Sequence, residues 1–155
     1  MFGEPAPTLS EAQLAEIFAQ ARAEFPNECC GYIVGSGAHA VVVPCTNVQD
    51  DLHALQPEDH PRTAANGYSI GGKELLALVR SFDSPRPATI LYHSHPGVGA
   101  YFSEEDSRAA LAAGYPVDYL VVDVTADAVA GAVLFRREGT RFVEVEVFGT
   151  PSRRR

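Results

Sequence analysis

Residues 88–96 read Ala88-Thr89-Ile90-Leu91-Tyr92-His93-Ser94-His95-Pro96, an apolar β-type run that ends in two histidines one residue apart. Side chains alternate across a strand, so this spacing turns both imidazoles to the same face, where they can share one cation. The following Pro96-Gly97-Val98-Gly99 demands a turn, and Ser103 then opens an alanine-rich helix that ends near Gly114-Tyr115-Pro116. A further β-type run over Asp118–Val124 completes a strand–helix–strand unit.

Upstream, Ser10 is a candidate N-cap for an amphipathic helix over 10–24, with Leu14, Ile17, Phe18 and Ala21 at helical spacing and Pro26 beyond its end. Gly31–Val34 and Ala40–Val43, separated by a turn containing Gly35-Ser36-Gly37, predict an antiparallel hairpin. Residues 46–68 show no sustained period and read as an inserted loop. Ser69 then caps a helix running to about Ser81, with Leu75, Leu76 and Val79 on its buried face and Gly71-Gly72 at its start. Downstream, strands are expected over 129–136 and 141–148, and residues 151–155 form a short basic tail expected to be frayed. The order α-β-β-α-β-α-β-β-β predicts one α/β (α+β) domain over residues 1–150, a mixed sheet with helices packed on it.

The chain has 155 residues, 46% of them hydrophobic, which suits one buried core. Its net charge of −8 opposes a broad phosphate-binding face, so nucleic acid is not the expected partner. No apolar stretch approaches the roughly 20 residues that cross a bilayer, and the N-terminal residues Met1–Ser10 lack the basic start of an export signal. No membrane association is expected. Three cysteines, Cys29, Cys30 and Cys45, cannot form an even disulfide framework and read as reduced thiols in a cytoplasmic setting.

Two ligands do not complete a metal site. Asp106 lies eleven residues after His95, in the first turn of the helix opened by Ser103, where the turn can fold it back beside the histidines. Two histidines and a carboxylate suit a catalytic zinc, which keeps a position open for a water whose pKa it lowers to about 7. Amide hydrolysis also needs a proton shuttle to the leaving nitrogen, which calls for a carboxylate that is not a ligand. The His-Glu-x-x-His helix motif and the deaminase pattern are both absent. Glu28 is the candidate shuttle, because it stands at the start of an apolar strand where a solvated carboxylate is out of place.

Glu28, His93-x-His95, seven residues, Ser103, two residues and Asp106 together resemble the signature of the JAMM metalloproteases, also called MPN-plus domains. The context Pro26-Asn27-Glu28-Cys29-Cys30-Gly31 is similar to the bacterial branch. The resemblance implies a curved, mostly antiparallel mixed sheet flanked by helices, with Zn2+ on His93, His95 and Asp106. It makes Glu28 the general acid/base and Ser103 a catalytic residue that assists the water and the tetrahedral intermediate. It further implies a zinc metalloprotease that cleaves a peptide or isopeptide bond after the terminal Gly-Gly of a ubiquitin-like sulfur-carrier protein. A non-catalytic MPN scaffold is the alternative, although such scaffolds typically lack the metal motif.

Each residue has a plainer reading as well. Ser103-x-x-Asp106 is a helix-capping pattern in its own right. Glu28 could pair with a base such as Arg22. His39, His53 and His60 sit in turn or loop contexts as solvated side chains, and the cysteines suit small core positions better than a nucleophile's.

Overall fold

The computed structural model describes residues 9–155; residues 1–8, on which the expectation of no export signal falls, lie outside the described residues. Helix α1, Glu11–Glu24, starts at a full capping box: the Ser10 hydroxyl accepts the Gln13 N–H at 3.1 Å, and Gln13 Oε1 accepts the Ser10 N–H at 2.9 Å. A cap of this kind stabilises a helix by about 1 kcal/mol. Gln13 Nε2 also donates to the Gly37 and Ala40 carbonyls, which fastens the helix to the turn between β1, Cys30–Val34, and β2, Val41–Cys45.

Then follow α2 (Gln49–Leu55), α3 (Gly72–Ser81), β3 (Ala88–Pro96), α4 (Glu104–Ala113), β4 (Asp118–Val124), β5 (Val129–Glu138) and β6 (Arg141–Gly149). The six strands form one sheet in the order β2-β1-β3-β4-β5-β6, antiparallel except for β3 against β4. That pair is parallel because α4 carries the chain back between them, as a parallel connection requires. Strand β3 therefore lies inside the sheet, and its alternation splits the core in two. Ile90 and Tyr92 pack with Ile17 and Ala21 of α1 on one face. Leu91 packs with Leu78 of α3 and Ala110 of α4 on the other, the face to which His93 and His95 belong by the same alternation.

Four expectations need correction. The segment 46–68 is not a plain loop, since it holds α2. This helix has no side-chain cap at Val48 and buries only Gln49, so it leaves no apolar period to read. Helix α3 starts at Gly72, not after Ser69, whose hydroxyl instead donates to Gln49 Oε1 at 2.7 Å. Its buried residue is Leu78, while Leu75, Leu76 and Val79 are 36%, 48% and 44% exposed. The tail is not frayed, because Pro151 is buried and Arg155 pairs with the buried Asp123 at 2.8 Å.

Asn47 holds the α2 segment against the sheet through all of its side-chain hydrogen-bonding capacity. Its Nδ2 donates to the Glu28 carbonyl at 2.9 Å and the Gly67 carbonyl at 3.0 Å, and its Oδ1 accepts the N–H groups of Gln49 at 3.0 Å and Ser69 at 3.2 Å. Asn47→Ala leaves four partly buried backbone groups without that partner and is expected to destabilise the protein by about 2–3 kcal/mol. Urea unfolding measures this, and a loss under about 0.5 kcal/mol would show that water replaces the side chain freely.

Candidate metal centre

β3 delivers His93 and His95 to the α3–α4 side of the sheet, and the N-terminus of α4 delivers Asp106. Ser103 is the N-cap of α4: its hydroxyl accepts the Asp106 N–H at 3.0 Å, while Asp106 Oδ2 accepts the Ser103 N–H at 3.0 Å. The capping reading of this pair is correct, and it is also what aims the Asp106 carboxylate at the histidines. Asp106 Oδ1 lies 3.2 Å from His93 Nε2, Asp106 Oδ2 lies 3.2 Å from His95 Nε2, and the two imidazole nitrogens are 3.1 Å apart.

Donors held about 2.0–2.1 Å from a tetrahedral ion stand about 3.3 Å from one another, so this triangle fits one small cation. The tautomer agrees. His95 Nδ1 is 2.9 Å from the Gly99 carbonyl, which can only accept, so Nδ1 carries the proton and Nε2 presents its lone pair. His93 is held differently, by the Tyr68 ring stacked on it at 4.5 Å. Its Nδ1 has no partner among the described residues.

Glu28 completes the cluster. It precedes β1, whose Cys30 is the register partner of His93, and one ligand atom each from Glu28, His93 and His95 lie within 4.8 Å of one another. Its backbone is fixed by Asn47 and by donation of its N–H to the Ala64 carbonyl at 2.7 Å. Ser94, between the histidines, accepts the Cys29 N–H at 2.8 Å and locks the adjoining backbone to β3. Glu28 is 5% exposed, and its Oε1 has no hydrogen-bond partner among the described residues.

The electrostatics favour bound positive charge. Burial raises the Glu28 pKa, and the nearby histidines offset this only in part. Burial works against ionised Asp106 too, but His93 and His95 outweigh it and hold that carboxyl well below the usual range. For His93, burial favours the neutral ring and the Asp106 carboxylate wins, raising its pKa. A buried carboxylate facing two imidazole nitrogens thus draws in a proton or a cation.

All five sequence-derived site residues, Glu28, His93, His95, Ser103 and Asp106, meet in one place. Arg22 does not pair with Glu28 and instead reaches the Ala126 carbonyl at 3.4 Å. His53 points its Nδ1 at the His60 carbonyl, 2.8 Å away, and neither residue joins the cluster. The three thiols are free and buried, and burial pushes Cys29 and Cys45 up to about 12, far from a thiolate nucleophile. Tyr68, Asn47 and the Gly99 carbonyl carry no signal in the sequence, because each acts through a partner that no local spacing encodes.

A solution structure of a protein from Desulfitobacterium hafniense, 24% identical to this chain, has the same fold with a TM-score of 0.65, over 90% of this chain and 89% of that one. A solution structure of a protein from Salinibacter ruber, 16% identical, matches with a TM-score of 0.58, over 92% of this chain and 91% of that one. No curated protein matches the chain. The model for prokaryotic homologs of the JAB domain matches residues 10–138, a span that holds every residue of the cluster, and the chain belongs to that family.

Proposed function

We propose that this protein is a zinc-dependent hydrolase that cuts a peptide or isopeptide bond after the terminal Gly-Gly of a ubiquitin-like sulfur-carrier protein in the cytoplasm. The observation that carries the reading is the triangle of His93 Nε2, His95 Nε2 and the Asp106 carboxylate beside a buried Glu28 Oε1 that has no partner among the described residues. Those three residues would hold zinc, which supplies Lewis acidity and a water made nucleophilic near neutral pH. Glu28 Oε1, with its raised pKa, takes a proton from the attacking water and passes it to the leaving nitrogen. Ser103 accepts the Asp106 N–H with its oxygen and retains its own O–H to donate to the oxyanion as it forms.

The surroundings support a thin, flexible tail on a folded partner. A cleft of about 1010 Å3 is lined by Glu28, His95, Arg62, Glu105, Leu78 and Tyr119. Because His93, His95 and Glu28 are 0%, 4% and 5% exposed, access favours a backbone without side chains, as Gly-Gly provides. The exposed Leu75, Leu76 and Val79 of α3 offer apolar surface that a folded carrier would cover, and Leu75 also borders the cleft. No helix among the described residues is long and apolar enough to cross a membrane.

The test combines metal analysis with cleavage. Untagged protein should carry close to one zinc per chain and should trim a ubiquitin-like protein extended beyond Gly-Gly, read as a mass ending in Gly-Gly. A chelator should stop the reaction and added zinc restore it. A zinc-loaded protein that leaves both peptide-linked and isopeptide-linked substrates intact would point to the non-catalytic scaffold instead.

A further inference from the structure

The basic segment that follows β6 closes back over the turn that follows β3. The Ala100 N–H donates to the Ser152 carbonyl at 2.8 Å, and the Arg155 N–H donates to the Val98 carbonyl at 3.0 Å. Between these bonds Gly99 adopts a φ of +94°, and a Cβ on it would stand 2.8 Å from the backbone nitrogen and Cα of Arg154. Only glycine allows the two backbones to lie so close.

The anchor of this segment is Asp123, 0% exposed in β4 and the register partner of His95 in β3. Its carboxylate accepts the Ser152 N–H at 2.8 Å and two bonds from the Arg155 guanidinium at 3.1 and 2.8 Å. The Arg154 guanidinium lies 4.5 Å above the Tyr101 ring, and the Tyr101 and His95 rings meet edge-on with centroids 5.1 Å apart. Each contact leads to His95, whose Nδ1–H is held by the Gly99 carbonyl.

We propose that Ser152–Arg155 is a strap that aims His95: by holding the Gly99 carbonyl and Tyr101 in place, it fixes the direction of the His95 Nε2 lone pair. Arg155 and Asp123 are positioning residues in this scheme, since neither touches the ion or the substrate. The turn needs such support, because Gly97 and Gly99 both have positive φ and are the most permissive residues available. A carbonyl that accepts the second nitrogen of a metal-bound imidazole sets the orientation and basicity of the ring, and losing such a partner typically lowers metal affinity 10–100-fold.

The inference rests on the metal-site reading above, so the experiment reads metal rather than turnover. Metal-free protein is titrated with Co2+, whose visible spectrum reports ligand geometry, and zinc affinity is measured by competition with a chromophoric chelator. Arg155→Ala, and the chain ended after Pro151, should lose about 10–100-fold in zinc affinity and show an altered Co2+ spectrum. Arg155→Lys, which keeps a positive charge beside Asp123, should lose less and covers the case in which the alanine variant fails to fold. Ile17→Val, which trims the core on the opposite face of the sheet, should lower Tm and leave affinity and spectrum unchanged. Folded strap variants with the affinity and spectrum of the unmodified protein would overturn the proposal. An unmodified protein that takes up neither ion would overturn the metal site itself, and the role of the strap with it.

Discussion

Glu28→Gln is expected to lower turnover by roughly 10²–10⁴ while zinc stays near one per chain, the loss that follows removal of a general acid–base group. The substitution preserves size and planarity and removes the negative charge together with the ability to carry a proton. Since Glu28 Oε1 has no hydrogen-bond partner among the described residues, no bond seen at that atom is lost. The buried carboxylate also costs the fold desolvation, visible in its raised pKa, so a neutral amide should leave Tm unchanged or higher. Kinetics, zinc analysis and a thermal melt on one preparation decide the matter. The discriminating result is metal content. Glu28 stands with His93 and His95 in a group that could itself hold an ion, so zinc loss as severe as in a ligand variant would make Glu28 a ligand rather than the shuttle.

What the sequence discloses about this site is local. The period of two in His93-Ser94-His95 places both rings on one face of β3, and the Ser103–Asp106 spacing is a capping box, so both halves of the triangle can be read before any fold is known. The same holds for Ser10 as the N-cap of α1. What escapes is whatever depends on distant partners. The apolar stripe of α3 reads as a buried face, yet the sheet takes Leu78 and leaves Leu75, Leu76 and Val79 outside, because the docking of a helix is chosen by its neighbours. Helix α2 is held by polar bonds from its Gln49 and Asp50 to Asn47, the Arg62 carbonyl and the Ala64 N–H rather than by an apolar face, so periodicity misses it. The basic tail looks solvated until Asp123, 32 residues before Arg155, is found buried and waiting for a cation.

Asp106→Ala should remove zinc and reduce turnover to background, because the anion that balances the ion's charge is lost and two neutral imidazoles remain. The change has a second effect, however, since Asp106 also accepts the Ser103 N–H and completes the cap of α4. Losing that bond costs about 0.5–2 kcal/mol and could by itself disturb the site. Asp106→Asn separates the two roles. An amide oxygen still accepts the Ser103 N–H, so the helix start is preserved and Tm falls only by the lost attraction between the carboxylate and the two histidines, while the neutral side chain no longer offsets the charge of a metal shared with His93 and His95. The expected pattern is therefore zinc loss in both variants, with the larger fall in metal-free Tm for alanine, which loses the cap bond as well. Elemental analysis and melts of the metal-free proteins test it together. If Asp106→Asn retained stoichiometric zinc at unchanged affinity, Asp106 would be a helix cap alone, and the third ligand would have to come from Glu28, which lies within 4.8 Å of both histidines.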